Sequence, residues 1–390
     1  MSDAANPYAA ARIHVLEGPE AIRRRPGMYV GSTGERGLHQ QVFEVSDWAV
    51  NEVLAGGAHR VDVVLESAGC VRVAIDGPGI SFEAAGHTGA PGLEELLTRP
   101  RTGPRRGGRR RVETGLFGMG PFVANALSSR LRAEVRREGV RWVQHFDRGA
   151  ATGPPSPEGS TKETGTVIAF RPDADIFDTT ECSFDTLAEH FRTLAFLNRG
   201  LDISLTDRRS PNEPRSERFL FAGGARDFVA FLAGQTGAFD ETGVFGFRHE
   251  APEIAGSVEI ALRWSGDSTG GVRGFANSMP TPDGGTHVAG FREGLAAAAG
   301  AFVRERRPMT KTRAAQGPDR LYDGLTAVVS VKLDHPEFEG ATCGTLANAG
   351  VRESVARTVQ RHLASWLATD LRPASAVARR TTAGRWPEEA

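Results

Sequence analysis

Three glycine clusters in the first half of the chain are the residues best suited to chemistry: Asp76-Gly77-Pro78-Gly79, Gly107-Gly108 and Gly115-Leu116-Phe117-Gly118-Met119-Gly120. The third runs into a helical pattern at Pro121–Leu127. Successive backbone N–H groups at the start of a helix form an anion cradle, and glycine lets a phosphate approach it closely. The spacing is GxxGxG rather than the GxGxxG dinucleotide fingerprint, and no GxxxxGK[ST] occurs, so neither a Rossmann nor a P-loop assignment follows. Taken alone, the cluster is equally compatible with a plain tight turn. Only Lys162, Lys311 and Lys332 among the 47 basic residues are lysine, so any role that demands a lysine has few candidates.

The elements that must position these glycines are legible from periodicity. Apolar Val42, Phe43, Val45, Ala49, Val50, Val53 and Leu54 recur at helical spacing, predicting an amphipathic helix over 38–54 that stops at Gly56-Gly57. Positions 44, 48 and 52 share one face of it by i, i+4 spacing. Two alternating runs, Val61–Leu65 and Val71–Ile75, joined by Ser67-Ala68-Gly69, predict a hairpin. Further strands are expected near 131–136, 141–146 and 166–170, with Gly153–Ser160 read as a surface loop. After the polar run Asp207–Arg218 a new α+β module begins, with strands near 258–264, 272–276 and 326–333 and helices near 227–232, 286–306 and 351–367.

Composition bounds the function. A chain of 390 residues, 39% apolar and 24% charged, can bury two or three domain cores, and its 47 glycines and 22 prolines favour many turns over a helical bundle. The net charge of −1 gives no overall field toward DNA or an anionic membrane. The seven arginines of Arg99–Arg111 lie among glycine and proline without interleaved aromatics, so they read first as a solvated loop, and direct DNA binding stays open. Cys70, Cys182 and Cys343 form no metal-site spacing. No long apolar run or signal-peptide layout is present, so no membrane partner is expected and the chain is placed in the cytoplasm.

Several longer motifs carry a family resemblance. Glu17–His39, Val42-Phe43-Glu44-Val45, Leu194–Gly200, Asp283-Gly284-Gly285-Thr286-His287, Asp323–Lys332 and Phe338-Glu339-Gly340 resemble, in order, the DNA gyrase B protein and its topoisomerase IV relative. The resemblance spans roughly residues 8–367. It implies an α+β chain: a GHKL (Bergerat) helix-on-sheet ATPase sandwich followed by a ribosomal-S5-domain-2-like transducer domain. The expected organisation is an N-terminal arm at 1–15, the ATPase-like domain at 16–220, the transducer at 221–370 and a disordered tail at 371–390. ATP and Mg²⁺ are the implied cofactors, and a homodimer through the arm, or gyrase subunits, the implied partners. The expectation from this resemblance is a protein without the cleavage and metal-binding module that follows in the family.

The implied pocket positions are Tyr8, Glu44, Trp48, Ile75, Asp76, Gly77, Gly79, Gly115, Leu116, Phe117, Gly118, Met119, Gly120, Arg137, Thr166, Ala341 and Cys343. Glu44 falls on the family's general base, a role a carboxylate can fill by taking a proton from the attacking water. Others depart from the pattern. Trp48 stands where the family has its magnesium-binding asparagine, and an indole offers no lone pair to a hard cation. Asp76 lies one place after the adenine-binding aspartate, which on a strand turns its carboxylate away and sends Ile75 inward unless a bulge intervenes. Pro78 replaces an arginine, Phe117 a histidine, and Ala341-Thr342-Cys343 the Gln-Thr-Lys loop, so no protein metal ligand is assigned. The expected function is a gyrase-B-like protein with ATP and Mg²⁺ binding and hydrolysis impaired or lost. Two alternatives stand beside it: an active ATPase with rearranged contacts, and a pocket repurposed for a small aromatic or apolar ligand.

Overall fold

The computed structural model describes residues 18–82, 92–100, 120–210, 212–237, 239–266, 270–306, 318–340 and 343–381. The expected arm and its Tyr8, the glycine-cluster residues 107–108 and 115–119, arginines 101–111, Ala341 and the last nine residues lie outside them.

The first half contains helices α1 (Gly18–Arg24), α2 (Gly27–Val30), α3 (Glu35–Leu54), α4 (Leu93–Thr98), α5 (Pro121–Ala126) and α6 (Phe184–Leu197). Its strands are β1 (Arg60–Leu65), β2 (Val71–Ile75), β3 (Ser128–Arg137), β4 (Val140–Asp147), β5 (Ala150–Ala151), β6 (Ser156–Ser160), β7 (Gly165–Pro172), β8 (Asp202–Asp207) and β9 (Arg215–Phe219). They form one sheet in the order β5-β4-β3-β7-β2-β1-β8-β9, with β6 added on β4. The β1–β8 pair is parallel and the others antiparallel.

Strand alternation assigns the two faces. Val61, Val63, Val71, Val73, Leu131, Ala133, Ile168 and Phe170 point into one core, which α1, α3, α5 and α6 close with Ile22, Leu38, Val45, Phe122, Leu187 and Phe191. The intervening residues, among them Arg72, Arg130, Arg132 and Arg171, face the other side, which no described helix covers. The architecture is helices on one face of a mixed sheet.

The second half begins with α7 (Ala225–Thr236) and continues with β10 (Phe245–Ala251), β11 (Gly256–Trp264), β12 (Gly271–Ala276), β13 (Met279–Pro280), α8 (Thr286–Arg306), β14 (Leu325–Leu333), β15 (Phe338–Glu339), β16 (Thr345–Leu346), α9 (Ala349–Thr369) and α10 (Leu371–Thr381). The sheet order is β10-β11-β14-β12-β13, with β12 parallel to β14. β14 is buried on both faces, which is why Thr326–Leu333 reads as a nearly continuous apolar run. One face meets α8, α9 and α10 through Ile260, Val329, Phe291 and Val355. The other meets α7 and the end of α6 through Ala261, Val328, Phe228 and Phe196. α8 lies against α9 at Gly290 and Gly294, where an added Cβ would come within 2.3 and 2.5 Å of the Arg352 and Ala356 carbonyl oxygens.

Two readings are corrected. The tail expected to be disordered from 371 forms α10 through Thr381, because Pro373, Ala374, Ala376, Val377 and Ala378 pack against α8 and α9 while Arg380 binds the Asp323 carbonyl and Glu241. Small apolar residues among arginines carry a weak hydropathy signal. The stretch read as a surface loop at 153–160 contains β6, an edge strand with every residue exposed, so no apolar alternation betrays it.

Candidate functional site

α3 carries the central carboxylate. Glu44 is 4% exposed, its Oε2 accepting the Gly120 N–H at 2.9 Å and its Oε1 the Gln40 amide at 3.2 Å. Burial first, then the nearby Asp47 charge, pushes its pKa up to about 7 against the two hydrogen bonds that favour the carboxylate. It is therefore a buried, proton-exchangeable acid near neutrality, not a solvated helix glutamate. Gly120 adopts φ +64° as the residue before α5, so the last glycine of the cluster spends its N–H on Glu44. One turn along α3, Trp48 is 6% exposed and belongs to the hydrophobic core. The neighbouring Asp47 is also buried, with His190 of α6 3.4 Å away.

The end of β2 places the second group. Pairing of β2 with β1 and with β7 runs in unbroken register to Ile75, which lies opposite Val61 and Thr166. No bulge re-aims the next residue. Ile75 is 6% exposed and part of the core, whereas the Asp76 side chain is 45% exposed and turns back toward β1. Its Oδ1 accepts the His59 and Arg60 N–H groups at 2.6 and 3.0 Å. Partial burial pushes the carboxyl up, but these donors and the two neighbouring side-chain charges outweigh it and hold the pKa below the usual range. The tight turn after Asp76 requires glycine: Gly77 has φ +98°, and an added Cβ would sit 2.2 Å from the Gly57 carbonyl. Gly79 follows at φ +79°, and the turn closes on β7 where the Ile80 N–H donates to Thr166 Oγ1 at 3.0 Å.

The structure thus joins Glu44 to Gly120, and Ile75 to Thr166, while Asp76 caps the start of β1. Arg137 lies on the exposed end of β3, pairing with Glu138 at 2.8 Å. Cys343 adopts φ +54° between β15 and β16, where the adjacent Gly344 carbonyl accepts the Asp283 N–H. Sequence reasoning missed Gln40, although its place four residues before Glu44 on the same helix face was available. It also missed Lys332 of β14, whose Nζ donates to Asn198 Oδ1 at the end of α6. Burial lowers the Lys332 pKa to about 8, with Arg248 adding to the effect and Glu259 opposing it.

The donor set can be tested against the implied cofactors. The Trp48 indole offers no lone pair to a cation, and the Ile75 side chain can neither coordinate a cation nor hydrogen-bond a purine. Among the described residues, no group of three or more His, Cys, Asp and Glu side chains is placed to hold a metal ion, and no helix is long and apolar enough to cross a membrane. Among the described residues, Trp48 and Ile75 do not supply the Mg²⁺ and adenine contacts that the family resemblance implies at their positions.

A large mixed sheet with helices on one face, followed by a smaller sheet backed by long helices, is the architecture of the GHKL-type ATPase regions of type II topoisomerases. In solved structures it matches the 43K ATPase domain of Thermus thermophilus gyrase B in complex with an aminocoumarin, at a TM-score of 0.76 and 32% identity over 95% of each chain. It also matches the topoisomerase IV ATP-binding domain of Francisella tularensis in complex with a small-molecule inhibitor, at a TM-score of 0.73 and 26% identity over 94% of this chain and 98% of that one. Residues 224–385 match the DNA gyrase B family model. The DNA gyrase B protein of Streptomyces coelicolor is 40% identical over 381 residues, 94% of this chain and 56% of that protein. The novobiocin-resistant DNA gyrase B protein of Streptomyces niveus is 41% identical over 384 residues, 95% of this chain and 56% of that protein. The chain belongs to the DNA gyrase B family, and it spans about half the length of these curated relatives.

Proposed function

We propose that this protein keeps the gyrase B ATPase-region fold while its pocket no longer supports Mg²⁺-dependent ATP binding and turnover. The observation that carries the reading is the end of β2: an unbroken register buries Ile75 and leaves Asp76 capping β1. Trp48 in the core supports it, since it stands at the metal-ligand position of the resemblance. Charge-assisted contacts are worth about 1.5–3 kcal/mol each, and losing a transition-state donor costs on the order of 10²–10³ in rate. Losing the metal ligand, the purine anchor and the transducer lysine together therefore outweighs a retained base, even with strong non-additivity. On this reading residues 16–220 are the ATPase-like domain and 221–370 the transducer, and partners are sought among a second copy of the chain and gyrase subunits.

Calorimetry with a non-hydrolysable ATP analogue and Mg²⁺ tests the proposal. No saturable heat at micromolar protein is expected, and metal-dependent micromolar binding overturns it. One observation favours a second reading, an active ATPase with rearranged contacts: Glu44 is buried on Gly120 with its pKa near 7, suited to a general base. Steady-state phosphate release abolished by Glu44→Ala is the result that would establish that alternative.

A further inference from the structure

The outer face of the nine-stranded sheet, opposite the helices, is concave over β2, β7 and β3, enclosing about 750 Å³. Its chemistry is unusual. Arg171 of β7 lies directly opposite Arg130 of β3, and Arg72 of β2 and Arg132 of β3 flank Ala169 on the next line of the sheet. Like charges directly across a strand pair repel, so an arginine pair there costs stability unless something neutralises it. Elsewhere on this face the neutralisation is visible: Glu134, buried between them, takes Arg132 and Arg136, while Glu158 and Glu163 hold their outer ends. Arg72, Arg130 and Arg171 differ. Among the described residues none of the three has an ion-pair or side-chain hydrogen-bond partner, although Asp147 of β4 lies directly opposite Arg130 in the register and Glu66 borders the same concavity.

We propose that this concavity binds a small phosphorylated molecule, its phosphate held by Arg72, Arg130 and Arg171 and its body lying over Ala169 and Val167. Guanidinium forks match phosphate oxygens in pairs, and a phosphate's charge of about −1.5 to −2 offsets the three guanidinium charges better than a single carboxylate's would. The volume falls within the range of small-molecule sites, roughly 300–1,000 Å³. A nucleic-acid backbone fits less well, because a strand continuing along β3 would run onto Glu134, Glu158 and Glu163. The site is separate from Glu44 and Gly120, which lie on the helix-covered face.

Titration calorimetry of the full chain with phenyl phosphate, inorganic phosphate and a short DNA duplex tests this. Phenyl phosphate should bind saturably and more tightly than inorganic phosphate. The Arg72→Gln/Arg171→Gln variant should weaken it by about tenfold or more, as loss of charge-assisted contacts predicts, while Arg215→Gln on β9 leaves it unchanged. Because Arg171→Gln removes a repulsive cross-strand pair, the variant's thermal midpoint should hold or rise, which separates lost binding from lost folding. The proposal is overturned by absent phenyl phosphate binding at millimolar concentration, by affinity indifferent to the double substitution, or by arginine-dependent binding of the duplex alone.

Discussion

Replacing Glu44 with glutamine isolates the cost of burying an ionisable group beside Gly120. The carboxyl has an ordinary pKa of 4.5 in the unfolded chain and about 7 in the fold. A tenfold difference in proton affinity is worth about 1.36 kcal/mol, so the buried charge costs about 3 kcal/mol once the group is ionised in both the folded and the unfolded chain. The sign follows from proton counting. Between the two values the folded state holds more protons than the unfolded state, so this contribution to stability falls as pH rises from about 4.5 through 7, then levels off. Glutamine keeps the shape, accepts the Gly120 N–H through its carbonyl oxygen, and needs only a flip of the Gln40 amide to complete the second bond. Urea denaturation at pH 4.5, 6 and 8 should show the variant near the parent at the acid end and more stable by about 3 kcal/mol at the alkaline end. A difference between the two proteins that does not change with pH would refute the account of a desolvated, protonatable Glu44.

Lys332→Met should have the opposite pH signature. The folded pKa of about 8 lies below the usual lysine value, so the parent gains stability as pH rises from about 8 toward 10.5. The variant should lose that rise, measured as the pH dependence of the thermal midpoint. Asp76→Ala should cost about 1 kcal/mol in urea denaturation, because it leaves the His59 and Arg60 N–H groups of a partly exposed turn to water. Its response to nucleotide in a thermal-shift assay should match the parent's. A response lost with the Asp76 carboxylate would place that group in the pocket.

Much of the fold was legible because period and burial coincide. The β1–β2 hairpin, α3, and the paired strands β11 and β14 each bury one apolar stripe or a whole apolar strand, and their residues say so. α8 was read to its observed ends, Thr286 and Arg306. Three of the elements that the pattern did not betray have identifiable causes. β6 and β9 are polar edge strands specified by their neighbours' free backbone groups. α10 is fixed by a groove on α8 and α9, not by its own hydropathy.

At the candidate site the division is sharper. Residue types alone set which implied contacts these side chains cannot make: an indole offers magnesium no lone pair, an isoleucine offers a purine no hydrogen bond, and the Ala341-Thr342-Cys343 stretch holds no lysine. The alternation of strand side chains determined that Asp76 would be displaced if β2 stayed regular, but regularity is a property of pairing with β1 and β7, on which no single strand decides. The depth of Glu44, the seat of Lys332 against the end of α6, and the three arginines near Ala169 that have no ion-pair partner among the described residues arise only in three dimensions. Desolvation and charge pairing depend on what distant segments bring within a few ångströms, and linear order does not encode those distances.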